Sequence, residues 1–209
     1  MQLSRLRHLL SLSLLPTALS KTITITAAPS IPSTAPEFVS DHLFTSAILN
    51  STNFFRAEHG ARAVTYNKTL QRFASRYLAG NPSCHFAHSG GPYGENIALG
   101  YPDVGSGVDA WGDERDKYDF SQPGFDEATG HFTQLVWNTT TAVGCGRKLC
   151  GERGWFLACE YWPRGNVIGQ FGDHVGKQVN GTGAATPAPG LTILAGVMLG
   201  VLGTTGWVL

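Results

Sequence analysis

Gly130-His131-Phe132-Thr133-Gln134-Leu135-Val136-Trp137 is the stretch on which the reading of this chain turns. Upstream of it stand His88, then Tyr93-Gly94-Glu95-Asn96, then Trp111 with Glu114 one helical turn later. Downstream is Phe156-Leu157-Ala158-Cys159-Glu160-Tyr161-Trp162-Pro163-Arg164-Gly165-Asn166-Val167. A lone histidine is more often a hydrogen-bonded core residue than a ligand, and a lone glutamate near a helix end is usually solvated. Here the contexts argue for one assembled polar site. Glu95 falls between a glycine-rich stretch and an apolar run, Glu114 shares the face of Trp111, and His131 opens a segment, 132–137, expected to be a buried strand.

Both ends of the chain carry processing signals. Residues 1–20 have the three parts of a secretory signal peptide: Arg5 and Arg7, the apolar run 9–15, and small residues at Ala18 and Ser20. That run is too short to cross a bilayer core of about 30 Å. At the other end, 191–209 is apolar and free of charge, with no cationic anchor behind it. The small-residue spacer 176–190 precedes it, and small residues, a polar spacer and a hydrophobic tail together make a GPI-attachment signal. Asn180 fits the attachment position best, with Gly181 next; a retained transmembrane helix is the alternative. The expected location is extracellular, at the outer face of the plasma membrane or in the cell wall. Sequons at Asn50, Asn67 and Asn138 agree with secretion, and one at Asn180 would compete with lipid attachment there.

Between these ends lies one domain's worth of chain. Fifteen basic and fifteen acidic residues balance, which argues against a nucleic-acid partner. Residues 21–39 read as a Ser/Thr/Pro-rich linker with too few large apolar side chains to build a core. The folded domain is expected to begin near Ser40 and run to about residue 175. Ser40-Asp41 can cap a helix ending near His59-Gly60, with apolar positions at Leu43, Phe44, Ala47, Ile48, Phe54 and Phe55. A second helix from about Lys68 places Leu70, Phe73, Ala74, Tyr77 and Leu78 on one face and ends at Gly80-Asn81-Pro82. A third helix is expected over 108–118, then a long aromatic loop over 118–130. Strands are expected over 132–137, 142–149, 155–162 and 167–171. Helices first and strands last give an α+β layered fold.

Four cysteines in an oxidising compartment should pair, and three pairings are open. The turn Gly151-Glu152-Arg153-Gly154 centres a hairpin that sets Cys145 opposite Cys159, within disulfide range for cross-strand neighbours. Cys84 and Cys150 are then left to each other.

Neutral imidazoles at His88 and His131 can ligate a divalent metal, zinc or magnesium, while Glu95 and Glu114 orient the rings or hold a bound water. Catalytic zinc takes three protein ligands and structural zinc four, so two nitrogens predict a weak, exchangeable site, with affinity falling below about pH 6.5 as the imidazoles protonate. Ser89 adjoins His88, but there is no Gly-x-Ser-x-Gly elbow and no clear catalytic nucleophile. The chain is therefore expected not to be an enzyme, and a metal-dependent hydrolase is the least favoured reading.

These motifs resemble those of the CAP superfamily: cysteine-rich secretory proteins, antigen 5 and pathogenesis-related 1 proteins. The resemblance covers roughly residues 40–175. The stretch 130–137 resembles the first family signature and 156–167 the second, with Glu160 where a neutral or basic residue is more usual. His88, Glu95, Glu114 and His131 match the family's four-residue cavity. The resemblance implies an α-β-α sandwich and supports both disulfides. Residues 88–96 and 118–125 look most like fungal secreted members related to sterol-binding and lipid-export proteins. What that implies is a sterol or fatty-acid ligand, contacted by Tyr118, Phe120, Pro123 and Phe125. The bland alternative is that these aromatic residues only pack the loop onto the domain. A wall-facing or host-facing protein-interaction module is the second functional reading. Oligomeric state is not legible in the sequence.

Overall fold

The computed structural model describes residues 34–179. The signal peptide, the expected attachment position at Asn180 and the apolar tail lie outside the described residues. Within them no helix is long and apolar enough to cross a membrane.

The elements run α1 (Pro36–Val39), α2 (Asp41–Glu58), β1 (Thr65–Tyr66), α3 (Lys68–Ala79), β2 (Gly94–Leu99), α4 (Val104–Gly112), a 3-10 turn (Asp113–Lys117), α5 (Gly130–Leu135), β3 (Ala142–Leu149), β4 (Trp155–Trp162) and α6 (Phe171–His174). The four strands form one sheet in the order β1-β3-β4-β2, antiparallel except for the short parallel β1–β3 pair. Helix α3 covers one face, where Ala74 and Leu78 pack on Ile97, Phe156 and Ala158. On the other face Phe44, Ile48 and Phe55 of α2, Val104, Val108 and Trp111 of α4, and Phe132 and Leu135 of α5 pack against Val143, Leu157 and Tyr161. The α-β-α sandwich expected from the sequence is the observed architecture.

Local signals account for much of this. Ser40 caps α2 through a bond from the Leu43 amide, and Asn67 caps α3 by accepting from Thr69 and Leu70. On α2, Phe44, Ile48 and Phe55 are buried, but Leu43 and Phe54 point outward. The hairpin has the expected strand limits. Cys145 faces Cys159 in its register, and the disulfides are Cys145–Cys159 and Cys84–Cys150. Helix α3 lies so close to the sheet that a Cβ on Gly144 would stand 2.3 Å from the Asn67 carbonyl oxygen. A Cβ on Gly146 would stand 2.7 Å from the Ser75 nitrogen.

Four expectations need correction. The stretch expected as a strand over 132–137 is instead the helix α5, because Glu114 reaches its N-terminus and accepts from the His131 and Phe132 amides, both at 3.0 Å. A carboxylate there satisfies orphan amides and complements the helix dipole. The third helix starts earlier than expected, at Val104, and its last part tightens into the 3-10 turn. Its start is fixed by Asp103 and by Glu37, which accepts from the Val104 and Gly105 amides. Residues 167–171 form no strand; the chain turns there and enters α6. The packed structure also begins before Ser40: Phe38 of α1 is buried and stacks on Trp155 with ring centroids 4.9 Å apart. The Trp111 indole donates to the Ile97 carbonyl, tying α4 to β2.

Arg56 of α2 is fully buried, and its guanidinium donates to the carbonyls of Arg62, Leu135, Trp137 and Thr140. Burial lowers its pKa to about 10, which leaves it charged at neutral pH. Replacement by an apolar side chain strands four acceptors. Arg56→Met is therefore expected to cost about 3–5 kcal/mol of folding stability, comparable to breaking a buried charge interaction. Urea unfolding followed by circular dichroism measures it.

Candidate functional site

The four expected cavity residues assemble as two histidine–glutamate pairs. His88, in the loop before β2, is 2.7 Å from Glu95 Oε1 through Nδ1. His131, in the first turn of α5, is 2.7 Å from Glu114 Oε1, again through Nδ1. The two imidazoles face one another at a tilt, with centroids 6.3 Å apart, and Trp111 stacks on His131 at 6.2 Å. With each Nδ1 held by a carboxylate, Nε2 is the nitrogen that remains to meet a ligand. Glu114 thus does two jobs: one oxygen caps α5 and the other orients the His131 ring.

The two signature stretches interlock around this site. Asn166 donates to the Gly130 carbonyl and accepts from the Thr133 hydroxyl, while Gln134 accepts from the Gly165 amide. Asn96, beside Glu95 on β2, donates to the His131 carbonyl. Both histidine-bearing segments are therefore referenced to the sheet.

Glu160 is the residue whose role sequence reasoning missed. It sits opposite Glu95 across β2 and β4, fully buried. Among the described residues neither of its oxygens has a donor, nor does Glu95 Oε2. A proton on Glu160, donated to Glu95, pairs one oxygen of each group. Burial first, and the nearby Glu95 charge second, raise the Glu160 pKa to about 9. Burial also works to raise Glu95, but hydrogen bonds from His88 and Ser89 outweigh it and hold that carboxyl below its ordinary value. The hydrogen bond to Glu95 in turn raises the His88 pKa against the effect of burial. Glu160 accordingly behaves as the neutral residue more usual at its position. The departure from the signature was visible in the sequence, but its protonation was not.

Two surfaces adjoin the pairs. A cleft of about 400 Å³ runs from His131 and Glu114 over Trp111, Ile97, Leu99 and Phe86 to Arg153. The aromatic loop is divided: Tyr118 is buried, Phe120 packs on the core against His59 and Phe132, and Pro123 and Phe125 are exposed. No three His, Cys, Asp or Glu residues are grouped as a metal cluster among the described residues. The donors available to a cation are the two imidazole Nε2 atoms. Of the sequon asparagines, Asn50 and Asn138 are exposed and Asn67 is partly buried, its Oδ1 serving as the α3 cap.

A three-layer sandwich stapled by two disulfides, with paired His–Glu groups at one end of its sheet, defines a class of extracellular domain. Residues 49–161, more than half of the chain, match the cysteine-rich secretory protein family, CAP, and the chain belongs to that family. Among its relatives, protein PRY2 of Saccharomyces cerevisiae is 49% identical over 136 residues, which are 63% of this chain and 41% of that protein. Secreted protein RBT4 of Candida albicans is 40% identical over 136 residues, 63% of this chain and 38% of that protein. The matched stretch thus spans less than half of either relative. Solved structures share the fold. Schistosoma mansoni venom allergen-like protein 4 superimposes with a TM-score of 0.52 at 21% identity, covering 68% of this chain and 97% of that one. NaASP2, solved with Zn2+, has a TM-score of 0.52 at 20% identity, covering 70% and 90%.

The raised Glu160 pKa has a definite sign. The folded state holds this proton more tightly than the unfolded chain, whose glutamate titrates near about 4.3. The resulting stabilisation is complete below that value and is lost as pH rises toward about 9. Glu160→Gln keeps a neutral side chain throughout, so its melting temperature is expected to fall less than that of the parent between pH 5 and 9. Parallel thermal melts across that range provide the comparison.

Proposed function

We propose that the chain is a secreted, non-enzymatic lipid-binding protein, tethered at the cell surface through its C-terminal signal, with sterols or fatty acids as its ligands. The observation that carries this reading is the divided loop. Tyr118 and Phe120 anchor it to the core, and the anchored loop presents Pro123 and Phe125, the latter 52% exposed, as a held apolar surface. An apolar surface ordered before binding loses little conformational entropy when a lipid covers it. The resemblance of residues 118–125 to fungal lipid-binding relatives points the same way. The neighbouring cleft, with apolar walls and a polar end, falls within the roughly 300–1,000 Å³ typical of small-ligand sites.

The His–Glu pairs serve in this reading as a weak cation site. Two imidazole Nε2 atoms, with the carboxylates already committed to Nδ1, suit zinc better than magnesium, which prefers an all-oxygen shell. NaASP2 was solved with zinc, and the same metal is the first to try here. Zinc would lend local positive charge at the end of the cleft, while Glu95 and Glu114 fix the ring orientations. A hydrolytic role has less support. Ser89 Oγ accepts from the Gly91 amide, and no imidazole is bonded to it among the described residues.

A second reading, a protein-interaction module, is favoured by Trp162, 51% exposed and edge-on to Tyr93 with centroids 6.0 Å apart. Exposed aromatic residues of this kind commonly anchor interfaces.

The deciding experiment is equilibrium binding of labelled sterol to the secreted protein. Saturable binding is expected, and Phe125→Ala should weaken it about tenfold or more, the cost of losing one buried phenyl contact. Absence of binding at any zinc concentration would refute the lipid reading, and unaltered binding in Phe125→Ala would remove the loop from it. Zinc titration by calorimetry tests the cation site. The double change His88→Ala and His131→Ala should abolish uptake. Because the hydrogen bond to Glu95 holds His88 above the ordinary imidazole value of about 6.5, affinity in the parent should be lost on acidification, with the loss setting in already at a pH above that value.

A further inference from the structure

The C-terminal segment of the described chain is held to the body along its length. Asn138 donates to the His174 carbonyl, His59 Nδ1 lies 2.8 Å from the Gly176 carbonyl, and the Val179 amide donates to the Glu58 carbonyl. Val179, the last described residue, is therefore held at the C-terminus of α2. The aromatic loop is fastened to the same place from both sides. Phe120 stacks on His59, the cap residue of α2. Pro123 lies against Gly172, and Phe125 against Phe171, on the short helix α6 that leads into the departing segment. Exposed apolar side chains gather at this end: Phe125 at 52%, Val179 at 55%, and Phe54 at 56%, one turn before Glu58 on α2.

We infer that this end of the domain faces the outer leaflet of the membrane and that Phe125 enters the lipid interface. The inference rests on the tethered reading of residues 180–209. With attachment at Asn180 nothing separates the held Val179 from the anchor. With a retained apolar tail, the spacer 180–190 reaches at most about 40 Å fully extended, and less when coiled. Direct attachment at Asn180 keeps the exit end closest to the bilayer and leaves α3, on the far side of the sheet, away from it; the longer spacer favours the same orientation less strongly. An aromatic ring is suited to the headgroup level. Asp126 and Glu127 follow Phe125, and Asp173 lies on α6; all three are exposed. With Asp116 and Asp119 exposed as well, the acids outnumber the exposed Lys117 and Lys177, which makes a zwitterionic surface the matching partner, rather than an anionic one. A loop so placed would exchange ligand with the leaflet directly, without release into the medium.

The test uses the full tethered protein, purified from cells and reconstituted in phosphatidylcholine vesicles. An environment-sensitive dye is placed through Phe125→Cys and, as a control, through Arg72→Cys on the exposed side of α3. Spin-labelled phospholipids are expected to quench the dye at position 125 at least threefold more than at position 72. Adding phosphatidylserine should reduce the difference. Equal quenching at both positions on vesicle-bound protein overturns the orientation while leaving the tether intact. Failure of the protein to associate with vesicles overturns the tether and the orientation together, and sterol binding measured on the parent protein with Phe125 intact shows whether the lipid reading survives. A dye shift at position 125 that grows with protein density but shows no lipid quenching assigns the surface to a second copy of this chain, and also overturns the inference.

Discussion

The buried guanidinium of Arg56 is the constraint on which the rest of this structure depends. It binds the carbonyls of Leu135 and Trp137, at the end of the signature helix, and that of Thr140, on the approach to β3. These carbonyls terminate α5 in the interior, where water cannot reach them, and an unpaired buried carbonyl is costly. One planar cation with several donors serves all of them from a neighbouring helix. The same side chain therefore ends α5, fixes its distance from α2 and sets where β3 begins. Because α5 carries His131, the position of one half of the polar site is inherited from this arrangement.

Glutamates play the complementary part at helix starts. Glu37 closes the N-terminus of α4 and Glu114 that of α5. Each is remote in sequence from the helix it caps. Glu114 couples capping to the polar site, since the carboxylate that stabilises α5 also holds the His131 ring. The other pair is built differently. Glu95 lies on a strand, and it is kept anionic beside a second carboxyl only because His88 and Ser89 donate to it and Glu160 keeps its proton. Two similar His–Glu pairs thus differ in what supports them. One is tied to a helix end and the other to a buried acid pair.

The loop over residues 118–130 links these local arrangements to the surface. Its first aromatic residues complete the core around Phe132 and His59, so its exposed tip is positioned by the same packing that seats the signature helix. The C-terminal segment converges on that region as well. Exposed loop tip, polar site and the last described residues are consequently parts of one packed unit, and a change in α5 would be felt in all three.

Much of this fold was legible from short-range pattern. The capped, amphipathic α3 and the hairpin β3–β4 follow from periodicity and turn residues, and the hairpin register sets Cys145 opposite Cys159. The pairing of His88 with Glu95 and of His131 with Glu114 was legible only as a grouping of four residues in motif-like contexts. The sequence could not show that 130–135 is helical, because Phe132, Leu135 and Val136 would suit a buried strand as well. The choice is made by Glu114 at one end and Arg56 at the other. Nor could it show that Glu37, in an apparent linker, caps α4, that Glu160 is protonated, or that the aromatic loop is half core and half surface. Residues near in sequence choose local conformation through sterics and capping. Charge state, buried hydrogen-bond partners and exposure depend on which distant groups the packed chain brings within reach, and only the tertiary structure decides that.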